Sequence, residues 1–474
     1  MKMNRRDFLV GSGALALAGW REVARAAGVP DYYAAHLRHV AERVNALAKT
    51  CEDGFWFITD LHVKANQCKS GRLIAELMKR TPLAKTLCGG DLPVAFSKGF
   101  PTDRAAVDFA IEAYRRHWIE PIRSAGGLLY TAKGNHDFSV CRSYDTPENR
   151  KRGFTYDGRT ARAIIMGEGT EKGVVTNPDD PEACYYWFDD PSAKMRYVVA
   201  DTTDTVCGGD VPWGLKYGMQ PRQLRWLARA AFATVPAGCG IVVMHHIPVA
   251  GVVGGEKDEA TFAPLRRLLE AYQNRGTFEV EGEKFDFSSA KGEIVLDLTG
   301  HHHCEMETFQ RGVWHATNPC DAGYSDYITR SRPWCGELPK KAAGTVFEQT
   351  FDAVQIDRTR GLLHFTRVGG GQDRTFHLKP IVLSASDFST PRSVGARLLQ
   401  GQSSGARLTW GCYDADRVTN LKDPKNPYVH LVEYHNEFAT ITEDGRLLAK
   451  KPGEVIVMAR DAALNKEIFS VILV

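Results

Sequence analysis

Five short phrases in this chain carry side chains suited to holding metal ions: Asp60-Leu61-His62, Gly90-Asp91, Gly134-Asn135-His136-Asp137, His245-His246 and Gly300-His301-His302-His303. Imidazole is the commonest protein metal ligand, and Asp and Asn add hard oxygen donors. Each phrase follows an apolar, strand-like run. Residues at i and i+2 on an extended strand end project to the same side, so His301 and His303 are expected to point together and His302 away. Asp60, His62, Asp91, Asn135, His245, His301 and His303 together offer three oxygens and four imidazoles. That is too many for a four-coordinate structural zinc. It suits two divalent ions about 3.5–4 Å apart, bridged by a carboxylate. No cysteine lies among these phrases, so the set points to manganese, iron or zinc rather than to a soft thiolate site. Such a pair lowers the pKa of a bound water and clamps the oxygens of an in-line displacement at phosphorus. The singletons His36, His39, His117, His315 and His364 read as structural.

The elements that must position these groups alternate along the chain. Residues 54–59, 85–88, 127–131, 241–244 and 293–299 read as buried strands, each ending at one of the five phrases. Helical spacing of apolar residues runs through 32–50, 71–80, 102–123, 220–235 and 261–275. Further strands are expected at 185–188, 195–200, 313–317, 347–356 and 362–368. Strands alternating with helices predict an α/β (α+β) fold in which helices cover the sheet and sites lie at the carboxyl ends of strands. The segments 276–292 and 324–334 are expected to be loops that shape a pocket. After Pro380 the pattern changes to short alternating segments, with a hairpin signal at Asp444-Gly445. A small all-β, immunoglobulin-like sandwich is expected over 380–474.

A chain of 474 residues is long enough for two domains. Its net charge of +3 carries no nucleic-acid or membrane-surface signal. The eleven cysteines show no C-x-x-C spacing and read as small buried residues. At the start, Asn4-Arg5-Arg6-Asp7-Phe8-Leu9 precedes a short apolar run and a small-x-small site, Ala24-Arg25-Ala26. This resembles a twin-arginine export signal over 1–26, cleaved after Ala26. No second span is evident, so a periplasmic or secreted protein without a membrane span is expected.

The order D-x-H, G-D, G-N-H-D, H, G-H-x-H resembles the calcineurin-like metallophosphoesterase superfamily over roughly 54–368, within a domain spanning 31–378. The resemblance implies a four-layer αββα sandwich of mixed sheets and a metal-dependent hydrolase of phosphate esters. It implies that Asp60, His62 and His303 hold one metal ion and that Asn135, His245 and His301 hold the other, with Asp91 bridging. His136 would act on the phosphoryl group or leaving oxygen, with Asp137 orienting its ring. Leu92-Pro93-Val94 has no tyrosine, which separates the chain from the purple acid phosphatase branch. The run 439–457 resembles a bacterial immunoglobulin-like group 2 repeat, which implies contact with a cell surface or glycan. On that second reading the protein is a binding protein and the metallophosphoesterase fold mainly a scaffold.

Overall fold

The strand β1, Asp53–Ile58, shows the rule on which the layers are built. Its side chains alternate between faces. Phe55 and Phe57 enter one core, Trp56 and Ile58 another, and all four are buried. A strand buried on both faces must lie between two layers. Here Phe55 and Phe57 face a second sheet, while Trp56 and Ile58 face helices. In this computed structural model residues 28–474 are described apart from 64–65, 93–102, 138–161, 205–217, 250–251, 254–258, 323–340, 384–390, 400–401 and 424–425. The export signal read at 1–26, the loop 324–334 and positions 93–94 lie outside the described residues.

In the first sheet β1 pairs in parallel with β2 (Lys85–Cys88), and β2 with β3 (Leu128–Thr131). The facing sheet contains β4 (Tyr186–Asp190), β5 (Met195–Val199), β6 (Gly240–Met244), β7 (Glu293–Thr299), β8 (Met306–Gln310) and β9 (Val313–Thr317). Their spatial order is β8-β9-β7-β6-β5-β4, with Val175–Thr176 at the edge. The chain then returns to the first sheet as β10 (Thr350–Asp357), β11 (Leu362–Gly369) and β12 (Asp373–His377), β10 lying antiparallel to β1. Helices α1 (Ala34–Leu47), α2 (Ser70–Met78) and the helical stretch beginning with α3 (Asp103–Tyr114) cover the outside of the first sheet, through Leu37, Val40, Leu73, Ile74, Trp118 and Ile122. Helices α4 (Pro221–Trp226) and α5 (Glu259–Gln273) cover the second, through Leu224, Leu265, Leu268 and Leu269. The result is the mixed-sheet αββα sandwich.

Two expectations change. Residues 276–292 are not an irregular loop. They contain the hairpin Thr277–Val280 and Glu283–Asp286, and Phe278 and Phe287 are buried beneath α5. Because β7 starts immediately afterwards, this hairpin sits at the end of the strand remote from His301. The second change concerns the C-terminal region, which is β-rich as expected but not a detached sandwich. Its strands β13 (Thr409–Asp414), β14 (Glu454–Asp461) and β15 (Lys466–Leu473) continue the first sheet, because β15 pairs in parallel with the open edge of β12. Phe469 stacks on Phe376 at 4.9 Å, and Tyr413, Ile456, Met458 and Val471 join the same inter-sheet core as Phe55. The opposite faces of β13–β15 pack on a small three-stranded layer through Val455, Val457 and Ile468 against Ala439 and Leu447. Pairing removes a row of unsatisfied backbone groups at the β12 edge. The two regions therefore share one sheet and one core.

Candidate metal centre

The five phrases follow β1, β2, β3, β6 and β7, and all five strands end at the same edge of the sandwich. Parallel β1, β2 and β3 bring Asp60, His62, Asp91 and Asn135 together from one sheet; adjacent parallel β6 and β7 bring His246, His301 and His303 from the other. Donor atoms of Asp60, His62, Asp91 and His303 lie within 4.8 Å of one another, and so do those of Asp91, His246 and His301. Asp91 belongs to both groups. Asn135 Oδ1 joins the second group, 2.6 Å from His301 Nδ1 and 3.0 Å from His246 Nε2.

The backbone at this edge is strained. Asp60 (φ 54°), His62 (40°), Asp91 (57°), His301 (69°) and His303 (57°) all occupy the left-handed region. Non-glycine residues there cost about 1–3 kcal/mol each and persist where the surroundings over-determine them. Here the surroundings are tight. A β-carbon on Gly300 would overlap Thr59 Oγ1 and the Asp60 carboxylate, and one on Gly134 would overlap Asp91. The carboxylates are also aimed. Thr59 Oγ1 donates to Asp60 Oδ2 at 2.8 Å, the His301 N–H donates to the same oxygen at 3.0 Å, and the His136 N–H donates to Asp91 Oδ1 at 2.7 Å.

Electrostatics keeps the acids ionised. Burial acts to raise Asp60 and Asp91, but the rings of His303 and His246 beside Asp60, and of His246 and His136 beside Asp91, hold both carboxyls below the ordinary range. Burial, joined by the ring of His303, lowers His62 to about 4, so its ring is neutral and available as a donor to a cation. His62 Nε2 and His303 Nε2 face each other at 3.0 Å, and His303 Nε2 is 3.1 Å from Asp60 Oδ1. Two ring nitrogens can share only one proton, whereas a cation among them satisfies every lone pair at once. This donor set fits divalent metal binding.

His245 is the one expected ligand that the structure does not bring to this cluster. Its Nε2 lies 2.7 Å from Asp297 Oδ1 and its Nδ1 is 2.9 Å from the Ile247 carbonyl, on the helix-covered side of the sheet. Asp297 also meets His315 Nδ1 at 2.6 Å. His246 stands in the expected place of His245, 3.2 Å from Asp91 Oδ2, with Nδ1 2.7 Å from the Gly89 carbonyl. Strand parity explains the exchange. Val242 and Met244 face the inter-sheet core, and His246 continues that alternation; Val243 faces the helices, and His245 follows it. Asp137 also differs from expectation. Its carboxylate accepts from the N–H groups of Asp91 (3.0 Å), Leu92 (2.8 Å) and Gly134 (2.6 Å), so it ties the β2 and β3 loops together rather than orienting the His136 ring. His136 is partly exposed, with Nε2 3.8 Å from Asp91 Oδ2. His302 is buried and stays outside both donor groups. One neighbour had no counterpart in the sequence reading: Cys320 Sγ lies within 4.8 Å of the ring donors of His62 and His303.

No family model and no curated protein matches this chain. Among solved structures it is similar to a dimetal phosphatase from Danio rerio, at 13% identity over 69% of this chain and 98% of that one, with a TM-score of 0.45. It is similar to the phosphopantetheinyl hydrolase from Mycobacterium tuberculosis at 13% identity, over 56% and 89% of the two chains, with a TM-score of 0.28. For a metallophosphoesterase from Sphaerobacter thermophilus the values are 10%, 66%, 87% and 0.24. At these identities and TM-scores the likeness carries nothing about substrate or activity.

Proposed function

We propose that this protein is a metal-dependent phosphohydrolase of the calcineurin-like type, acting on a phosphomonoester or phosphodiester. One observation carries the reading. Two groups of donors, from five strand ends in two sheets, converge around the single carboxylate of Asp91. Asp60, His62 and His303 would hold one divalent ion and Asn135, His246 and His301 the other, with Asp91 between them. Two such ions supply a water of lowered pKa and neutralise phosphoryl oxygens. The chain's own groups do the remaining work. Thr59 and the His301 N–H fix the Asp60 carboxylate. Asp137 holds the β2 and β3 loops in register. His136, the partly exposed ring at the rim, donates a proton to the leaving oxygen, a role worth about 10²–10⁴-fold. Manganese, iron and zinc all suit the mixed nitrogen and oxygen donors. The twin arginines and cleavage site in 1–26 support export to the periplasm or beyond, with the fold formed before transport.

The test is hydrolysis of p-nitrophenyl phosphate and bis-p-nitrophenyl phosphate by protein stripped with chelator and reloaded with Mn²⁺, Fe²⁺ or Zn²⁺. Activity should vanish on stripping, return with metal and be lost in Asp91→Ala. Full turnover by the Asp91→Ala variant would end the proposal.

A further inference from the structure

We infer that Cys320 is a thiolate donor to the ion held by Asp60, His62 and His303, which makes that position selective for thiophilic metals. The inference rests on the dimetal reading and extends its ligand set. Cys320 is buried in the turn after β9, and that turn is fastened to the strand end that carries Asp60. The Asp321 N–H donates to the Thr59 carbonyl at 3.0 Å and the Ala322 N–H to the Asp60 carbonyl at 3.3 Å. The position of the sulfur is therefore set by the same backbone that sets Asp60, with Sγ 3.3 Å from the Asp60 carbonyl.

The thiol is not isolated. Its sulfur and the ring donors of His62 and His303 form a three-donor group within 4.8 Å, and those two rings are also the imidazoles of the Asp60–His62–Asp91–His303 group. Zn–S and Zn–N bonds of about 2.3 and 2.1 Å place donors of one ion no more than about 4.4 Å apart. The upper bound of 4.8 Å on these separations lies slightly above that limit, so the side chains would close inward on one ion. Of the eight free cysteines among the described residues, Cys320 alone falls in such a group. The buried Lys341 also sits here: its ammonium donates to the Cys320 carbonyl. When the S–metal bond forms, the S–H bond breaks and its proton passes to solvent, with no change in oxidation state.

A thiolate in an otherwise nitrogen and oxygen set shifts preference toward zinc, cobalt, cadmium or iron and away from magnesium. The experiment is titration of the metal-free full chain with Co²⁺, followed by absorption. Visible d–d bands report cobalt in nitrogen and oxygen sites, while a near-ultraviolet sulfur-to-cobalt charge-transfer band reports the thiolate. The expected result is both signals in the parent protein, loss of the charge-transfer band in Cys320→Ser and Cys320→Ala, and its retention in Cys304→Ser. Cobalt d–d bands with no charge-transfer band in the parent would overturn the thiolate and leave the dimetal reading standing. Failure of the parent to bind cobalt at all would overturn both. The parent spectrum decides the matter even if a Cys320 variant fails to fold.

Discussion

Two clusters of buried carboxylates serve this sandwich, and they are balanced in different ways. Around β10–β12, Asp352, Glu305 and Glu307 meet Arg367 and Arg374, both almost wholly buried. Arg367 Nε is 2.8 Å from Asp352 Oδ1 and Arg374 Nη2 is 2.8 Å from Asp352 Oδ2; Arg374 Nη1 reaches Glu307 at 3.0 Å, and Arg367 pairs with Glu305 at 2.5 Å. At the strand ends, Asp60 and Asp91 face only histidines: among the described residues no arginine or lysine forms an ion pair with either. Buried charge is costly unless it is paired or coordinates a metal. The first cluster carries permanent cations and reads as a clamp between β8 and the first sheet. The second carries no permanent cation, only ring protons that a bound metal ion would displace. The two clusters therefore differ in the cation that each buried acid faces.

The harshest way to break this comparison is to remove the C-terminal region at Pro380. That cut strips β15 from the edge of β12, the strand that carries Arg374, and removes Tyr413, Ile456, Met458 and Phe469 from the shared core. Each buried side chain of this size contributes about 1.5–3 kcal/mol, so loss of soluble, cooperatively melting protein is expected. A soluble truncated chain with parental turnover would show that the seam is not structural. A sharper cut is Arg374→Met, which leaves Asp352 and Glu307 without that partner. Breaking one side of a buried pair costs about 3–5 kcal/mol, so the melting temperature should fall while added metal still raises it. In Asp91→Ala the reverse is expected: metal-induced stabilisation, which reaches about 2.7 kcal/mol at a hundredfold excess over Kd, should disappear. If both variants respond alike to metal, the two clusters are not different in kind.

The neighbouring histidines offer a finer contrast. His246→Ala should lower metal content and reduce turnover by at least ~10²-fold, since even outer partners of metal ligands are worth about 10–100-fold. His245→Ala should keep its metal. It leaves the buried Asp297 with His315 as its remaining ring partner, a loss of about 1–3 kcal/mol in stability. Elemental analysis and thermal melts on the two variants separate the roles, and metal loss in His245→Ala would reverse the assignment.

The same pair shows how far the sequence could be read. Strands buried on both faces appear as unbroken apolar runs, so residues 54–59, 241–244 and 293–299 were legible, as were the polar phrases behind them. The choice between His245 and His246 was also within reach. It needed only the parity of Val242 and Met244 carried two residues further. The remaining features depend on contacts between distant segments. Cys320 reaches the centre because residues 321 and 322 bond to residues 59 and 60. Asp137 serves as a clamp because three backbone N–H groups from two loops meet it. The C-terminal strands alternate as a sandwich would, and nothing local shows that β15 will dock on β12. Periodicity gives a strand its faces but not its neighbours.

The smallest effect lies on that seam, where one buried charge is poorly balanced. Lys466 begins β15 opposite Asp373 and donates to Gln402 Oε1 at 2.7 Å. Burial, with Arg43 adding to it, lowers the ammonium to about 8, against the pull of Asp373 and Asp461. In the unfolded chain a lysine titrates near 10.4. The folded state therefore binds this proton more weakly than the unfolded one, so the fold carries the full penalty below about pH 8. The penalty fades as pH rises from there to the ordinary lysine value. Lys466→Met should raise the melting temperature at pH 7, by a few degrees at most, and the advantage over the parent should shrink between pH 8 and pH 10. An advantage that is constant across that range would trace the gain to packing and leave the charge argument without support.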